Sequence, residues 1–116
     1  MTAKRIFLEI GTGNDLHGCD YTKAAVRAVE DAIHHSSLAL VRTLHVDLDT
    51  IAIDVTVGVQ RPEEVNRSAI KAALPHGSVN VNVVKGGLDV PEEGASDLTV
   101  IATAAIAVCL DLVAAK

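Results

Sequence analysis

The densest concentration of potentially reactive residues lies in the stretch Gly11–Gly18, which reads G-T-G-N-D-L-H-G. Gly11 and Gly13 can adopt backbone conformations closed to other residues, and they let backbone N–H groups approach a ligand closely. Asp15 and His17 can exchange protons or bind a metal ion. The sequence therefore predicts a ligand-binding site in this stretch.

The carboxylate and the imidazole of this stretch allow two functional readings. On an extended loop, Asp15 and His17 can point the same way, as a pair in which Asp15 orients His17 or as two metal ligands. A metal ion needs further ligands. The candidates are Glu9, His45, Asp47, Asp49 and His76, and no spacing in the sequence selects among them. The structural alternative is that Asp15 caps the turn and His17 hydrogen-bonds a carbonyl. Metal and cofactor therefore stay unknown.

A second, weaker candidate lies nearer the C-terminus. Asn80 and Asn82 share one face of a predicted strand, so their amides could contact a polar ligand that the glycine pair Gly86-Gly87 admits. The alternative is a solvated strand face that ends in a turn. The residues predicted to bind ligand are thus Gly11, Gly13, Gly18, Asn80, Gly86 and Gly87.

The glycine spacing argues against a dinucleotide site. After G-x-G, four residues separate Gly13 from Gly18, whereas the Rossmann fingerprint has two at that point. The predicted helix begins at Asp20, after the last glycine. A phosphate bound on exposed N–H groups stays compatible with the stretch.

Composition bounds the class of protein. The chain has 116 residues, the size of one domain spanning 1–116, and only Phe7 and Tyr21 are aromatic, so the core must be aliphatic. A net charge of −5 argues against a nucleic-acid partner. The most apolar run, Leu98–Leu110, is shorter than the roughly 20 residues of a membrane-spanning helix. No leader segment is evident, and Cys19 and Cys109 lack metal or redox spacing, which predicts reduced thiols in the cytoplasm.

Hydrophobic periodicity predicts the secondary structure. The predicted strands are Arg5–Ile10, Ile51–Val59, Ser78–Lys85 and Leu98–Leu112, and the predicted helices run from Asp20 to near His35–Ser37 and from Pro62 to Leu74. The alanines of Leu98–Leu112 leave a helix open as the alternative. Predicted loops are Leu38–Asp49, with a short bulged extension as its alternative, and the polar segment Leu88–Ser96.

This order, β-α-β-α-β-β, predicts an α+β two-layer sandwich with a mixed four-stranded sheet and two helices on one face. Leu98–Leu112 carries apolar residues on both faces, so two helices on one side leave the other face uncovered. A large exposed apolar face is rare in soluble monomers. We therefore expect a homo-oligomer whose interface is the face opposite the helices, with the glycine stretch near the subunit boundary.

The chain also resembles a known family. The stretch G-T-G-N-D-L-H-G is preceded by R-I-F-L-E-I and followed by D-Y-T-K-A-A-V-R-A-V-E-D-A-I, and V-V-K-G-G-L-D-V lies near the end. These segments resemble a small conserved-hypothetical family of bacteria and plants marked by an N-terminal GxGxDxHG motif. The resemblance implies that the signature positions are Gly11, Gly13, Asp15, His17 and Gly18, and it implies no activity. The first helix is also similar to one in cyclic-amide ring-opening hydrolases, whose Ser–Lys pair has no match here.

The sequence predicts a small cytoplasmic oligomer that binds a polar small molecule at Gly11–Gly18. The catalytic version is a hydrolase or lyase with His17 as general acid/base, Asp15 as its orienter and glycine N–H groups as anion donors. The rival is a non-catalytic binding or assembly protein in which the stretch is a structural turn.

Overall fold

A computed structural model describes residues 4–34, 51–74, 78–94 and 97–110. Within these ranges the elements are β1 (Lys4–Asp15), α1 (Tyr21–His34), β2 (Ala52–Val59), a 3₁₀ turn (Pro62–Glu64), α2 (Arg67–Ala72), β3 (Ser78–Lys85), β4 (Leu88–Pro91) and β5 (Leu98–Leu110). The predicted α+β fold with a mixed sheet is confirmed, but the sheet has five strands instead of four.

Strand β5 lies at the centre of the sheet. It pairs antiparallel with β1 along one edge and with β2 along the other, and β2 pairs parallel with β3, giving the order β1-β5-β2-β3. The aliphatic residues of β5 therefore form a strand, as the β-branched side chains predicted, and the helical alternative is wrong for Leu98–Leu110.

Strand β4 corrects the prediction of a loop over Leu88–Ser96. It continues along the β2 side of β5, with Leu88 opposite Ile101. The chain reaches this position through Gly87, whose φ is +61° and whose hypothetical Cβ would lie 2.2 Å from the carbonyl oxygen of Ile101. Four residues that include a proline carry too little alternation to predict a strand, so pairing with β5 decides this one.

The second predicted helix is divided in two. Pro62–Glu64 forms the 3₁₀ turn, and α2 begins after Asn66, whose side-chain oxygen accepts a hydrogen bond from the Ser68 N–H at 3.0 Å. Asn66 is thus an N-cap inside the segment that was predicted as one helix. Helix α2 ends at Ala72, two residues before the predicted end at Leu74. The predicted loop at 38–49 and the predicted end of the first helix at 35–37 lie outside the described residues.

Both helices pack on one face of the sheet. Their buried residues join the inward side chains of the strands in one core, which includes Ala24, Ala28, Val29, Ile53, Val55, Val57, Ile70, Val81, Val100, Ile106 and Val108. Alternate residues point to the other side, which we call the open face; on β5 these are Thr99, Ile101, Thr103, Ala105, Ala107 and Cys109. None of the helices described here covers the open face.

Strand β1 runs to Asp15, so the prediction that it ends at residue 10 is wrong. Gly11 and Gly13 lie opposite Ala104 and Ala102 in the ladder with β5. A Cβ on Gly11 would lie 2.4 Å from the Ala28 carbonyl oxygen, and one on Gly13 would lie 2.2 Å from the Ala28 nitrogen. The two glycines therefore let the backbone of α1 pack directly on β1, which gives them a packing role, while their predicted ligand contacts stay a prediction.

Candidate functional site

The connection from β1 to α1 forms the centre of the candidate site. Its backbone turns through Gly18 and Cys19, whose φ angles of +95° and +52° are both left-handed. Asp20 then starts α1, because its Oδ1 accepts a hydrogen bond from the Lys23 N–H at 3.0 Å. Asp20 is thus the N-cap of α1, which agrees with the helix start that the sequence predicted at this residue.

Asp15 stabilises this connection from inside the fold. The residue is only 2% exposed, and its Oδ2 accepts a hydrogen bond from the Asp20 N–H at 2.9 Å. Lys23 Nζ and Arg27 Nη1 lie 3.7 and 3.9 Å from its Oδ1. Asp15 therefore caps the turn, as the structural alternative predicted, and two cations compensate its buried charge.

The carboxylate partner of His17 is Asp97, which corrects the prediction that Asp15 orients the imidazole. His17 Nδ1 lies 3.0 Å from Asp97 Oδ2. The hydrogen bond from His17, with one from the Gly18 N–H at 3.3 Å, holds the pKa of Asp97 below its usual range. The carboxylate therefore stays ionised and can accept a hydrogen bond from the Nδ1–H group of His17. Sequence reasoning missed Asp97 because 80 positions separate it from His17.

His17 lies between two shallow recesses. The first is lined by Asp15, Leu16, His17, Lys23 and Arg27. The second is lined by Leu16, His17, Val90, Pro91, Glu92 and Thr99. The structure thus brings Asp15 and His17 to one recess, although the Asp15 carboxylate is committed to the turn. The cationic Lys23 and Arg27, which sequence reasoning missed, belong to the same recess.

The second predicted group of ligand residues does not converge. Asn80 lies on the open face, where its Nδ2 donates to Asp54 Oδ1 at 3.3 Å. The carbonyls of Gly86 and Gly87 accept hydrogen bonds from Gln60 Nε2 at 3.1 and 3.2 Å. At the ~3.3 Å rise of a strand residue, Asn80 lies about 20 Å from Gly86 along β3. The amide and the two glycines therefore do not form one site.

The described residues do not assemble a metal centre. No three His, Cys, Asp or Glu side chains within 4–34, 51–74, 78–94 and 97–110 are placed to hold a metal ion together. Glu9 lies on β1 about 20 Å from Asp15 at the ~3.3 Å strand rise. The other ligands suggested by the sequence, His45, Asp47, Asp49 and His76, lie outside the described ranges.

A second polar contact lies on the other side of the α1 N-terminus. Tyr21 is only 3% exposed, and its hydroxyl donates to Asp89 Oδ2 on β4. Burial, together with the hydrogen bond and charge of Asp89, raises the pKa of Tyr21 to about 12. Val100 of β5 pairs with Asp15 of β1 along one edge and with Asp89 of β4 along the other. Each edge of β5 therefore holds a carboxylate that contacts the N-terminal region of α1.

We expect Tyr21 to resist ionisation. Because it is the only tyrosine of the chain, absorbance of the phenolate near 295 nm reports this residue alone. The midpoint should lie near pH 12 instead of the usual 10, and Asp89→Asn should lower it. Since the folded pKa is raised, the stability from protonated Tyr21 is full below pH 10 and declines between pH 10 and 12. A midpoint of 10 in the folded protein would contradict the buried hydrogen bond.

None of the described helices is long and apolar enough to cross a membrane.

Comparisons with known proteins place the chain in a family. The sequence pattern of the Lin0512 family, described as conserved hypothetical protein, matches residues 5–108, and the chain belongs to this family. Membership of a conserved-hypothetical family is thus confirmed, whereas the GxGxDxHG signature stays a prediction. The chain is also similar to the crystal structure of an FtsZ-like protein of unknown function from Nostoc punctiforme. The two are 34% identical, with a TM-score of 0.85 over 96% of this chain and 98% of that one. No curated protein matches the chain.

Proposed function

We propose that this member of the Lin0512 family is a small cytoplasmic homo-oligomer that binds a polar small molecule in the recess between β1 and α1. His17 acts there as the general acid/base of a hydrolysis or an elimination. The observation that carries the proposal is the His17–Asp97 pair, which lies beside a recess lined by two cationic side chains. The free thiols of Cys19 and Cys109 agree with a reducing compartment.

The geometry of His17 suits proton transfer. An ionised Asp97 that accepts a hydrogen bond from Nδ1–H leaves the lone pair of Nε2 available, and it stabilises the imidazolium that forms when Nε2 takes a proton. The His17 side chain is 78% exposed, so a bound molecule can reach Nε2. In a hydrolysis Nε2 accepts the proton of the attacking water and returns it to the leaving group as the scissile bond breaks. In an elimination Nε2 accepts a proton from one carbon while the bond from the adjacent carbon to the leaving group breaks, and the group departs with the electron pair of that bond. Asp97 acts through His17 as a positioning residue.

A screen of metabolites by thermal shift tests the site. A ligand present at one hundred times its Kd should stabilise the wild type by about 2.7 kcal/mol, and His17→Ala should lose this response. The matched control is His34→Ala, which removes an exposed imidazole from the C-terminal end of α1 and should respond like the wild type. If every ligand stabilises His17→Ala as much as the wild type, the proposed site is wrong.

A non-catalytic binding or assembly protein is the second candidate function. It is favoured by the packing role of Gly11 and Gly13 and by the turn-capping bonds of Asp15. In that case Asp97→Ala lowers stability by releasing the β1–α1 connection, while every ligand response persists in both Asp97→Ala and His17→Ala. The same thermal-shift screen therefore separates the two functions.

The proposal of a homo-oligomer is supported by where the exposed apolar side chains lie. Six large hydrophobic residues of the described ranges are exposed, namely Leu8, Ile10, Leu16, Val84, Leu88 and Val90. Five of them alternate with inward residues and so point to the open face. The sixth, Leu16, directly follows β1 and lines the same recess as Val90. An apolar surface confined to one face is typical of an interface between proteins.

The size and charge of the open face favour a second copy as the partner. With a strand rise of ~3.3 Å and a strand spacing of ~4.8 Å, the face covers on the order of 700 Å². This approaches the roughly 800 Å² that each partner of a stable complex buries. Arg5 and Asp54 lie near one end, opposite Cys109 and Ala107. The uncharged middle around Ala105 lets two copies with a net charge of −5 approach.

A further inference from the structure

The recess beside His17 carries more positive than negative charge. Lys23 and Arg27 lie one turn apart on α1, so both side chains reach the same recess, where Asp15 is the carboxylate among the lining residues. Two cations thus accompany one carboxylate in a chain whose net charge is −5. The recess is therefore locally positive, whereas the chain as a whole carries a net negative charge.

Asp15 lies near Lys23 and Arg27 but beyond hydrogen-bond distance of their charged groups. Its distances of 3.7 Å to Lys23 Nζ and 3.9 Å to Arg27 Nη1 exceed the 2.7–3.2 Å range of an N–H···O hydrogen bond. Its Oδ2 accepts the Asp20 N–H instead. The side chains of Lys23 and Arg27 are 51% and 49% exposed, so both charged groups are accessible from solvent. The residues lining the recess therefore include one more cation than carboxylates.

The guanidinium of Arg27 is held in place before any ligand binds. Its Nη1 donates to the carbonyl oxygen of Asn14 at 2.6 Å, at the end of β1. This bond uses one of several N–H donors and fixes the plane of the group beside the recess. The nearby carboxylates of Asp20 and Asp31 accept the backbone N–H groups of Lys23 and Thr12, and neither lines the recess.

We infer that the molecule bound at this site is an anion, whose carboxylate or phosphate oxygens lie between Lys23 and Arg27. The inference rests on the proposed function and adds the chemical class of the ligand. An anchored guanidinium can bind two oxygens of one planar or tetrahedral anion, and the ammonium adds a point charge beside them. His17 borders the same recess, so the anionic group directs a neighbouring bond or proton towards Nε2.

Titration with inorganic phosphate and with acetate, each at constant ionic strength and followed by ¹H–¹⁵N chemical shifts, tests the ligand class. At least one anion should cause saturable shifts in the amides of residues 15–23, and Lys23→Gln should weaken its binding at least about tenfold. Arg27→Gln should have a similar effect, and Arg27→Lys an intermediate one. If phosphate saturates the shifts at a lower concentration than acetate, the bound group is a phosphate, and the reverse order identifies a carboxylate. Acetamide, the neutral analogue of acetate, should give no saturable shift.

The matched control is Lys71→Gln, which removes the same charge from an exposed position on α2 and should bind the anion like the wild type. Equal weakening by Lys71→Gln, wild-type binding by Lys23→Gln, or no saturable shift in the wild type would overturn the inference. If a screened ligand needs His17 but not Lys23 or Arg27, the site stands and its anionic ligand is wrong. If Lys23→Gln loses the anion while His17→Ala keeps every ligand response, the anion site stands without the function proposed for His17.

Discussion

Gly13→Ala is expected to lower the free energy of unfolding by about 3 kcal/mol or more, because overpacking of this kind is costly. The added Cβ would lie 2.2 Å from the Ala28 nitrogen and 2.4 Å from the Ala24 carbonyl oxygen. These are backbone atoms inside a helix, so no side-chain rotation relieves the overlap. The helix α1 must instead move away from β1 and expose core surface.

Urea unfolding followed by circular dichroism measures this effect. The matched control is Thr12→Ala, a substitution on the same strand whose exposed side chain points to the open face, and its effect should stay within about 1 kcal/mol. Gly11→Ala should behave like Gly13→Ala, since its Cβ would lie 2.4 Å from the Ala28 carbonyl oxygen. Equal midpoints for Gly13→Ala and Thr12→Ala would show that the contact between α1 and β1 is looser than described.

Ala105→Glu is expected to dissociate the proposed oligomer to a 12.1 kDa monomer. Ala105 lies on β5 between Ile10 and Thr56, in the uncharged middle of the open face. A second copy seated on this face would bury the new carboxylate without a partner, at a cost of several kcal/mol per subunit. A monomer exposes the carboxylate to water, so its fold should persist.

Multi-angle light scattering at micromolar concentration measures the mass, and circular dichroism confirms the fold. Ala107→Glu is a second variant on the same face and should act alike. The matched control is Ala72→Glu, which places the same carboxylate on an exposed position of α2 and should keep the mass of the wild type. A measured mass of 12.1 kDa for the wild type would refute the oligomer. If Ala105→Glu keeps the mass of an oligomeric wild type, the interface does not lie on the open face.

The sequence by itself determined the fold class, the α1 start and the sidedness of the central strand. Alternation in Ile51–Val59 and Ser78–Lys85 predicted β2 and β3, and Asp20 predicted the start of α1. Apolar residues on both faces of Leu98–Leu112, with two predicted helices on one side of the sheet, predicted a face that the helices leave uncovered, and β5 has such an open face within Leu98–Leu110. These properties follow from local spacing, because helix and strand periods of 3.6 and 2 residues appear within a single segment.

Only the tertiary structure decided which groups meet. The spacing of Gly11 and Gly13 matches one strand face, but their packing role appears only when α1 lies against β1. His17 meets Asp97, and Tyr21 meets Asp89, because antiparallel β5 brings β1 and β4 to its two edges in a particular register. Register depends on the whole sheet, and a shift of one residue turns every side chain to the opposite face. The sequence therefore identified His17 as a candidate site residue, and only strand pairing across β5 showed that Asp97 is its carboxylate partner.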